Sequence, residues 1–270
     1  MIKAFVIISL GFMLLERLIP WRKEQPMLRK GFLSDLAFIL FNGYLFNRLF
    51  YVSVAATVLV YFSKSMEALG VWDTLKSAIM RGQPLWLQFI VLFFIQDFLK
   101  WCVHNVLHRV PALWEFHKVH HSVEIMDWMG NMRYHWVEVI VYNGLLFIPL
   151  SFLGFNPHLF YWIGLIEIVI GHFNHSNVRL NIKWFGYFLN SPRFHIWHHA
   201  ADDPQAINKN FGIVLSVWDW IFGTAYMPSN RVPGQLGFAE ISRYPTGFVG
   251  QSIFPLSLLF QKRETSQSLK

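Results

Sequence analysis

Apolar runs alternate with short polar segments along the whole chain, and the lengths of the runs give the first set of elements. The first run, IKAFVIISLGFMLL at residues 2 to 15, is followed at once by Glu16, Arg17, Arg22 and Lys23. It has the length of a signal sequence, but the positive charge lies mainly after the run and no small-residue cleavage site follows, which predicts a retained anchor or a short first span. Residues 33 to 63 are apolar but interrupted by Asn42, Gly43, Asn47 and Arg48. Each half is short against the roughly 20 residues that a crossing needs, so the segment reads either as one tilted span with an interfacial end or as a re-entrant pair. LWLQFIVLFFIQDFLKWCV, residues 85 to 103, is a further span. Residues 136 to 155 and 158 to 173 are both apolar and separated only by Asn156-Pro157, a turn signal, so they predict a helical hairpin.

Two passes return a chain to its starting side, so polar groups before Trp136 and after Gly171 can meet in one place. The loop at 16 to 32 carries Arg17, Arg22, Lys23, Arg29 and Lys30, which by the positive-inside tendency assigns it to the cytoplasm. If residues 33 to 63 cross once and residues 85 to 103 cross once, the chain is back on that side at His104.

Composition agrees with this reading, because 54% hydrophobic residues with 14% charged is too apolar for an ordinary soluble domain. No linker, low-complexity tract or charge block marks a second domain, so residues 1 to 270 are expected to form one membrane-embedded unit. The net charge of +7 is scattered beside apolar spans, which suits a cytoplasmic membrane face better than nucleic acid. Cys102 is the only cysteine, so an intrachain disulfide, a cysteine-based zinc site and an iron–sulfur cluster are excluded.

Histidine carries the chemistry. Ten of the 12 histidines fall into four groups: His104 and His108; His117, His120 and His121; His172 and His175; His195, His198 and His199. Shuffling would give roughly 0.02 copies of H-x-x-H-H, yet HKVHH and HIWHH are two, so chance is a poor explanation. Residues three and four apart share a helix face, so each group aims its imidazoles one way. Pro111 before the first triplet and Ser191-Pro192 before the second, an N-cap followed by proline at the first helical position, place both triplets on short helices. Imidazole is the commonest nitrogen ligand for iron, copper, zinc and nickel; ten histidines exceed the needs of one ion and fit two.

HNVLH, HKVHHS, HFNHSN and HIWHH, in this order between hydrophobic spans, resemble the histidine boxes of the fatty acid hydroxylase/sterol desaturase superfamily. Asp97, LWEFHKVHHS, RYH at 133 to 135, NKNFG at 208 to 212 and WDWIFGT at 218 to 224 resemble segments of its bacterial branch. The resemblance covers about residues 90 to 228 well and ERLIP at 16 to 20 more loosely. It implies an all-α fold, an integral membrane bundle of about four to five helices capped by a cytosolic histidine-rich helical domain. The implied chemistry is O2-dependent hydroxylation or desaturation of a lipid, a sterol, fatty acyl chain or related molecule, by two iron ions, with zinc able to replace iron in purified protein. Family frequency favours hydroxylation. His104, His108, His117, His120, His121, His175, His195, His198 and His199 would be the catalytic metal ligands, with His172 as a further ligand.

Breaking an unactivated C–H bond exceeds any ordinary side chain, so a redox metal and O2 must supply the hard step. No flavin or NAD fingerprint, haem attachment site or fused electron-transfer domain is visible, which implies an external ferredoxin-like or cytochrome b5-like donor with its reductase. The lipid substrate would come from the bilayer. The location that fits is the bacterial inner membrane, or the endoplasmic reticulum in a eukaryote, with the histidine clusters on the cytoplasmic side.

Five other polar residues are expected to orient the ligands: Asp97, an acid near the end of an apolar span, as a partner to a histidine; His135 with Glu138; and Asn177 and Asn210. His135 could also be an outer ligand. His158 lies beside the hairpin turn and so on the opposite membrane side. Trp101, Trp114, Trp136, Trp184, Trp197, Trp218 and Trp220 read as an interfacial belt. The competing class is a non-enzymatic membrane metal or haem carrier. A transporter would place its ligands at mid-membrane on broken helices, and haem needs only one or two axial histidines, so clusters at span ends favour the enzyme.

Overall fold

The computed structural model describes residues 2–46, 56–71, 79–147, 150, 152–180, 182–229 and 231–267. Among these it is all helical, and its only β contacts are isolated bridges such as Pro20 with Val178 and Leu189 with Leu215. The first half contains α1 (Ile2–Leu18), α2 (Phe32–Leu40, continued by a π turn at Phe41–Phe46), α3 (Ala56–Ala68) and α4 (Leu85–Arg109). The second contains α5 (Pro111–His121), α6 (Trp136–Tyr142, continued by a π turn at Asn143–Phe147), α7 (Pro157–His175), α8 (Pro192–His198), α9 (Val217–Ile221) and α10 (Phe248–Gln267).

Local chemistry sets the boundaries. Proline stands at the first helical position of α5, α7 and α8, where its missing N–H is no loss. Asn156 caps α7 by accepting from the His158 N–H, and Ser191 caps α8 by accepting from the Phe194 N–H. The Asn156-Pro157 turn and the two triplet helices are therefore found where the sequence places them. Gly31 opens α2 with φ +94°, a left-handed conformation that favours glycine.

At 25 residues α4 is about 37 Å long, and it is the one helix among the described residues long and apolar enough to cross a membrane. α1, at 17 residues, is apolar on both sides: Ser9 and Phe12 face inward while Ile7, Leu10, Leu14 and Leu18 are exposed. The hairpin expected from 136 to 173 packs on α4 through Leu92, Leu150, Phe155, Leu159 and Ile163, although α6 is only seven residues long before its π turn. The break expected at Asn47 and Arg48 lies outside the described residues. The tryptophans do not form a single belt, since Trp101 and Trp197 are buried in the core while Trp184 is exposed.

Beyond the apolar helices, α5 and α8 pack into a cap around Val123, Met126, Ile196, Trp197, Ala200 and Leu236. Charge ties this cap to the N-terminal segment. Arg29 makes a two-pronged pair with Asp127 at 2.6 and 2.7 Å, Arg29 also meets Asp35 at 2.7 Å, and Arg133 meets Asp35 at 3.3 Å. All four side chains are buried. A charge buried this deeply is tolerable only with its partners in place, so Asp35→Ala, which strips both guanidinium groups of a counter-ion, should destabilise the protein by about 3–5 kcal/mol. Thermal unfolding in detergent reads this directly; an unchanged midpoint would mean the network carries no stability.

Candidate metal centre

Four helices deliver histidine to one place. The last turns of α4, α5, α7 and α8 carry His104 and His108, His117 to His121, His175, and His195 to His199 respectively. Their ring nitrogens divide into two neighbouring sets. His104, His108, His117 and His198 form one, and His120, His175, His195 and His199 form the other, the ligand atoms within each set lying within 4.8 Å of one another. His121 joins the first set, with its Nε2 3.2 Å from that of His108 and 3.1 Å from that of His198. The sets touch: the His121 and His199 rings stack at 4.4 Å between centroids. The sequence-predicted histidines of all four groups thus meet, with one member left out.

That member is His172. Its Nε2 lies 3.0 Å from Ser9 Oγ, its Nδ1 lies 3.0 Å from Asn131 Nδ2, and its ring packs against Phe5, Phe12 and Trp128. Both ring nitrogens are committed to joining α1, α7 and the 128–132 turn, so neither is offered to the two sets. The approach is close because residue 171 is glycine: a Cβ there would lie 2.5 Å from Asn131 Oδ1.

Backbone carbonyls decide how four of the other rings are protonated. His104 Nδ1 lies 2.8 Å from the Phe211 oxygen, His120 Nδ1 3.1 Å from that of Arg133, His175 Nδ1 2.9 Å from that of Gly171 and His198 Nδ1 2.8 Å from that of Lys209. A carbonyl only accepts, so each Nδ1 must be the protonated nitrogen and donate. In a neutral ring the Nε2 is then a bare lone pair. The His120 and His175 Nε2 atoms are nevertheless 3.2 Å apart, acceptor facing acceptor. Such a contact is repulsive unless a cation sits between, so the donor set itself fits a metal bound through Nε2. A second nitrogen held by an acceptor is also what orients a metal-binding imidazole.

Electrostatics keep the rings neutral. Burial pushes the His117 imidazole down to about 3 and His120 to about 4. Burial first, then the neighbouring imidazoles, holds His121, His195, His198 and His199 well below the ordinary range. Neutral imidazole is the ligating form.

The polar residues expected to orient ligands divide. Glu138 does so, its carboxylate 2.7 Å from His117 Nδ1. Asp97 touches no histidine; it accepts from the Val214 and Leu215 N–H groups and from Trp218 Nε1, so it anchors a loop instead. Asn210, with φ 60°, donates to the carbonyls of Phe194 and Tyr226 and accepts from the Tyr226 N–H. His135 donates to the Ser252 carbonyl and accepts from the Val137 N–H, capping α6 away from both sets. Asn177 pairs with the backbone of Arg22. His158 is exposed at the start of α7, 14 to 17 residues and so about 20–25 Å from its last-turn histidines.

Sequence reasoning missed Asp219. It accepts from the Phe211 and Gly212 N–H groups, from Trp101 Nε1 and from Thr224 Oγ1, and so fixes the loop whose carbonyls hold His104 and His198. The available signal was a buried acid inside an otherwise aromatic stretch, WDWIFGT.

The arrangement defines a class of helical protein in which imidazole nitrogen from several helix ends forms two adjoining metal-competent sets. Residues 89–224, half of the chain, match the family model described as Fatty acid hydroxylase, and the chain belongs to that family, within the fatty acid hydroxylase/sterol desaturase superfamily. It is similar to the ornithine lipid hydroxylase OlsE of Rhizobium tropici, 30% identical over 64% of this chain and 52% of that one. Human alkylglycerol monooxygenase is 28% identical over 83% of this chain and 47% of its own length. The fatty acid hydroxylase vlmA of Lecanicillium sp is 27% identical over 62% and 48%. The chain thus spans about half the length of the relatives it matches. No solved structure matches it.

Two outcomes follow from the geometry. Elemental analysis should give two metal ions per chain, with His120→Ala and His198→Ala each lowering the content because they belong to different sets, and His172→Ala and His158→Ala leaving it intact. Second, the metal-free protein should lose stability as pH falls below about 6.5. The unfolded histidines take up protons there, whereas the folded His117 and His120 stay neutral down to about 3 and 4, so acid favours the unfolded state across that window. Melting temperatures of chelator-treated protein measured from pH 8 to pH 5 check this, and a flat profile would contradict it.

Proposed function

We propose that the protein is a membrane-embedded oxidoreductase that uses O2 to hydroxylate, or alternatively to desaturate, a lipid alkyl group, with two iron ions held by the nine converging histidines. The observation that carries this reading is the pair of adjoining Nε2 sets at the end of an apolar helix long enough to cross a membrane. Membership of the fatty acid hydroxylase family supports the oxidoreductase class. Ornithine lipid and alkylglycerol in the names of two relatives support a lipid as the substrate.

His104, His108, His117, His121 and His198 would hold one ion, and His120, His175, His195 and His199 the other. Iron bound there supplies the redox chemistry that an unactivated C–H bond requires. The chain's own residues do the positioning. The carbonyls of Phe211, Arg133, Gly171 and Lys209 and the Glu138 carboxylate hold the Nδ1 atoms of His104, His120, His175, His198 and His117, so that these five rings present Nε2. Phe211 and Trp114 pack against His108 with centroids 5.1 and 4.9 Å away, shielding the rings from water.

In hydroxylation one oxygen atom enters the C–H bond and the other leaves as water, consuming two electrons and two protons; in desaturation both oxygens leave as water. The electrons come from outside the chain, in this reading from a ferredoxin-like or cytochrome b5-like donor. The apolar segments form a multi-pass bundle that places the histidine cap on the cytoplasmic side, in the bacterial inner membrane or, in a eukaryote, the endoplasmic reticulum.

Lipid mass spectrometry of cells with and without the protein, under isotopically labelled O2, separates the outcomes. Hydroxylation adds one labelled oxygen, desaturation removes two hydrogens, and an unchanged lipidome together with a haem absorption band would establish the carrier alternative. His120→Ala and His198→Ala should abolish the product. Glu138→Gln, which weakens the acceptor that orients His117 through its Nδ1, should lower activity by about 10- to 100-fold.

A further inference from the structure

A second polar site lies away from the histidines, where α1 runs into the 19–31 loop. A cavity of about 170 Å³ opens there, lined by Glu16, Arg17, Arg22 and Lys23 on its polar side and by apolar side chains that include Met27 and Leu28. The charges in its wall are unequal. Asp127 is already paired with Arg29 at 2.6 Å. Glu16 is engaged from within: its Oε1 accepts from the Trp128 and Asn177 N–H groups at 3.0 and 2.8 Å, and Arg22 stands close enough to act on it electrostatically. Arg22 in turn donates to the Met126 carbonyl. Arg17 and Lys23 are left, both exposed and with no ion-pair or hydrogen-bond partner among the described residues. The cavity therefore presents two uncommitted cations and calls for an anion.

The rim says which kind of anion. Leu10, Leu14 and Leu18 are 54%, 57% and 66% exposed along α1, the helix whose Met13, Glu16 and Arg17 line the cavity, and Met27 and Leu28 in the cavity wall are exposed as well. A helix that is apolar on its packed face and on its open face belongs in a bilayer, and its charged end marks the interface. An occupant with a phosphate between Arg17 and Lys23 and acyl chains along Leu14 and Leu10 satisfies both halves of the surface at once, whereas a free anion leaves the exposed leucines uncovered.

We infer that this cavity is a binding site for the headgroup of an anionic, phosphate-bearing membrane lipid, distinct from the histidine centre. It rests on α1 lying in the membrane and not on the metal chemistry. Between cavity and centre stands the 126–130 segment: Met129 lines the cavity, while Gly130 on the far side lies against His175. A lipid bound here would therefore brace the wall behind the second histidine set without reaching the metal ligands.

The test uses the whole protein in dodecyl maltoside, titrated with dioleoylphosphatidylglycerol, dioleoylphosphatidylcholine or inorganic phosphate, and read by melting temperature and native mass spectrometry. Phosphatidylglycerol should bind and stabilise the wild type. In Arg17→Gln/Lys23→Gln its affinity should fall roughly 10- to 30-fold, as expected for two cations near one anionic headgroup, while metal content stays unchanged and reports an intact fold. Equal stabilisation by inorganic phosphate would reduce the site to a simple anion site, and equal stabilisation by phosphatidylcholine to unspecific lipid contact; either overturns the inference. So would identical phosphatidylglycerol binding by wild type and variant, or none by either. Lipid oxidation persisting alongside any of these failures would leave the proposed activity standing and remove only this site.

Discussion

The structure depends on an arrangement that is unfavourable without a further charge: several imidazole lone pairs aimed at each other inside a dry core. His120 and His175 face one another through nitrogens that cannot carry protons, because their other nitrogens are spent on the carbonyls of Arg133 and Gly171. Buried acceptors without donors cost on the order of 1–3 kcal/mol each, and burial denies these rings the proton that would relieve the contact. A positive ion at the meeting point removes the repulsion for a whole set at once. Everything around the centre serves to maintain this geometry against the tendency of the rings to turn away.

Most of that maintenance is done by backbone carbonyls, and the carbonyls are only as well placed as the loops that bear them. Lys209 and Phe211 lie in a loop with left-handed asparagines, Asn208 at φ 56° and Asn210 at φ 60°. Asp219 collects the N–H groups of Phe211 and Gly212 from one side, and Asn210 ties the loop to the Phe194 carbonyl of α8 from the other. On the opposite wall Arg133 has two tasks, its oxygen holding His120 while its guanidinium joins Asp35 in the buried ion network. The N-terminal segment is thereby coupled to the second histidine set through charge, and to α7 through the Ser9, His172 and Asn131 contacts.

How much of this was legible follows from the range of the interactions. Capping is local, so Ser191-Pro192 and Asn156-Pro157 were readable as helix starts, and the H-x-x-H-H triplets as helix faces. Within each set the histidines from one helix are four residues apart, His104 and His108, His117 and His121, His195 and His199, whereas His172 and His175 are three apart and differ by about 60° around the helix axis. That is enough for α1 to claim one ring while its neighbour turns to the centre, and only the packing of α1 on α7 decides it. Asp97 was recognisable as a buried acid with a purpose, yet its partners are N–H groups more than a hundred residues away, which no local pattern encodes. Asp219 differs, taking three of its four donors from Phe211, Gly212 and Thr224 nearby in the chain and only the fourth from distant Trp101.

One face of α4 unites these parts. Asp97, Trp101, His104 and His108 recur at intervals of four, three and four residues, so they form a single stripe along the helix. From one end to the other that stripe anchors the 214–218 segment through Asp97, engages Asp219 through Trp101, and presents two imidazoles to the first histidine set. The loop held by the first two residues supplies, at Phe211, the carbonyl that orients the third. Ligand and orienting group are thus referred to the same rigid rod, and the distance between them is set by helix geometry instead of by two independently moving segments. A helix required to do this must be long and continuous, and α4 is also the one described helix long and apolar enough to cross a bilayer.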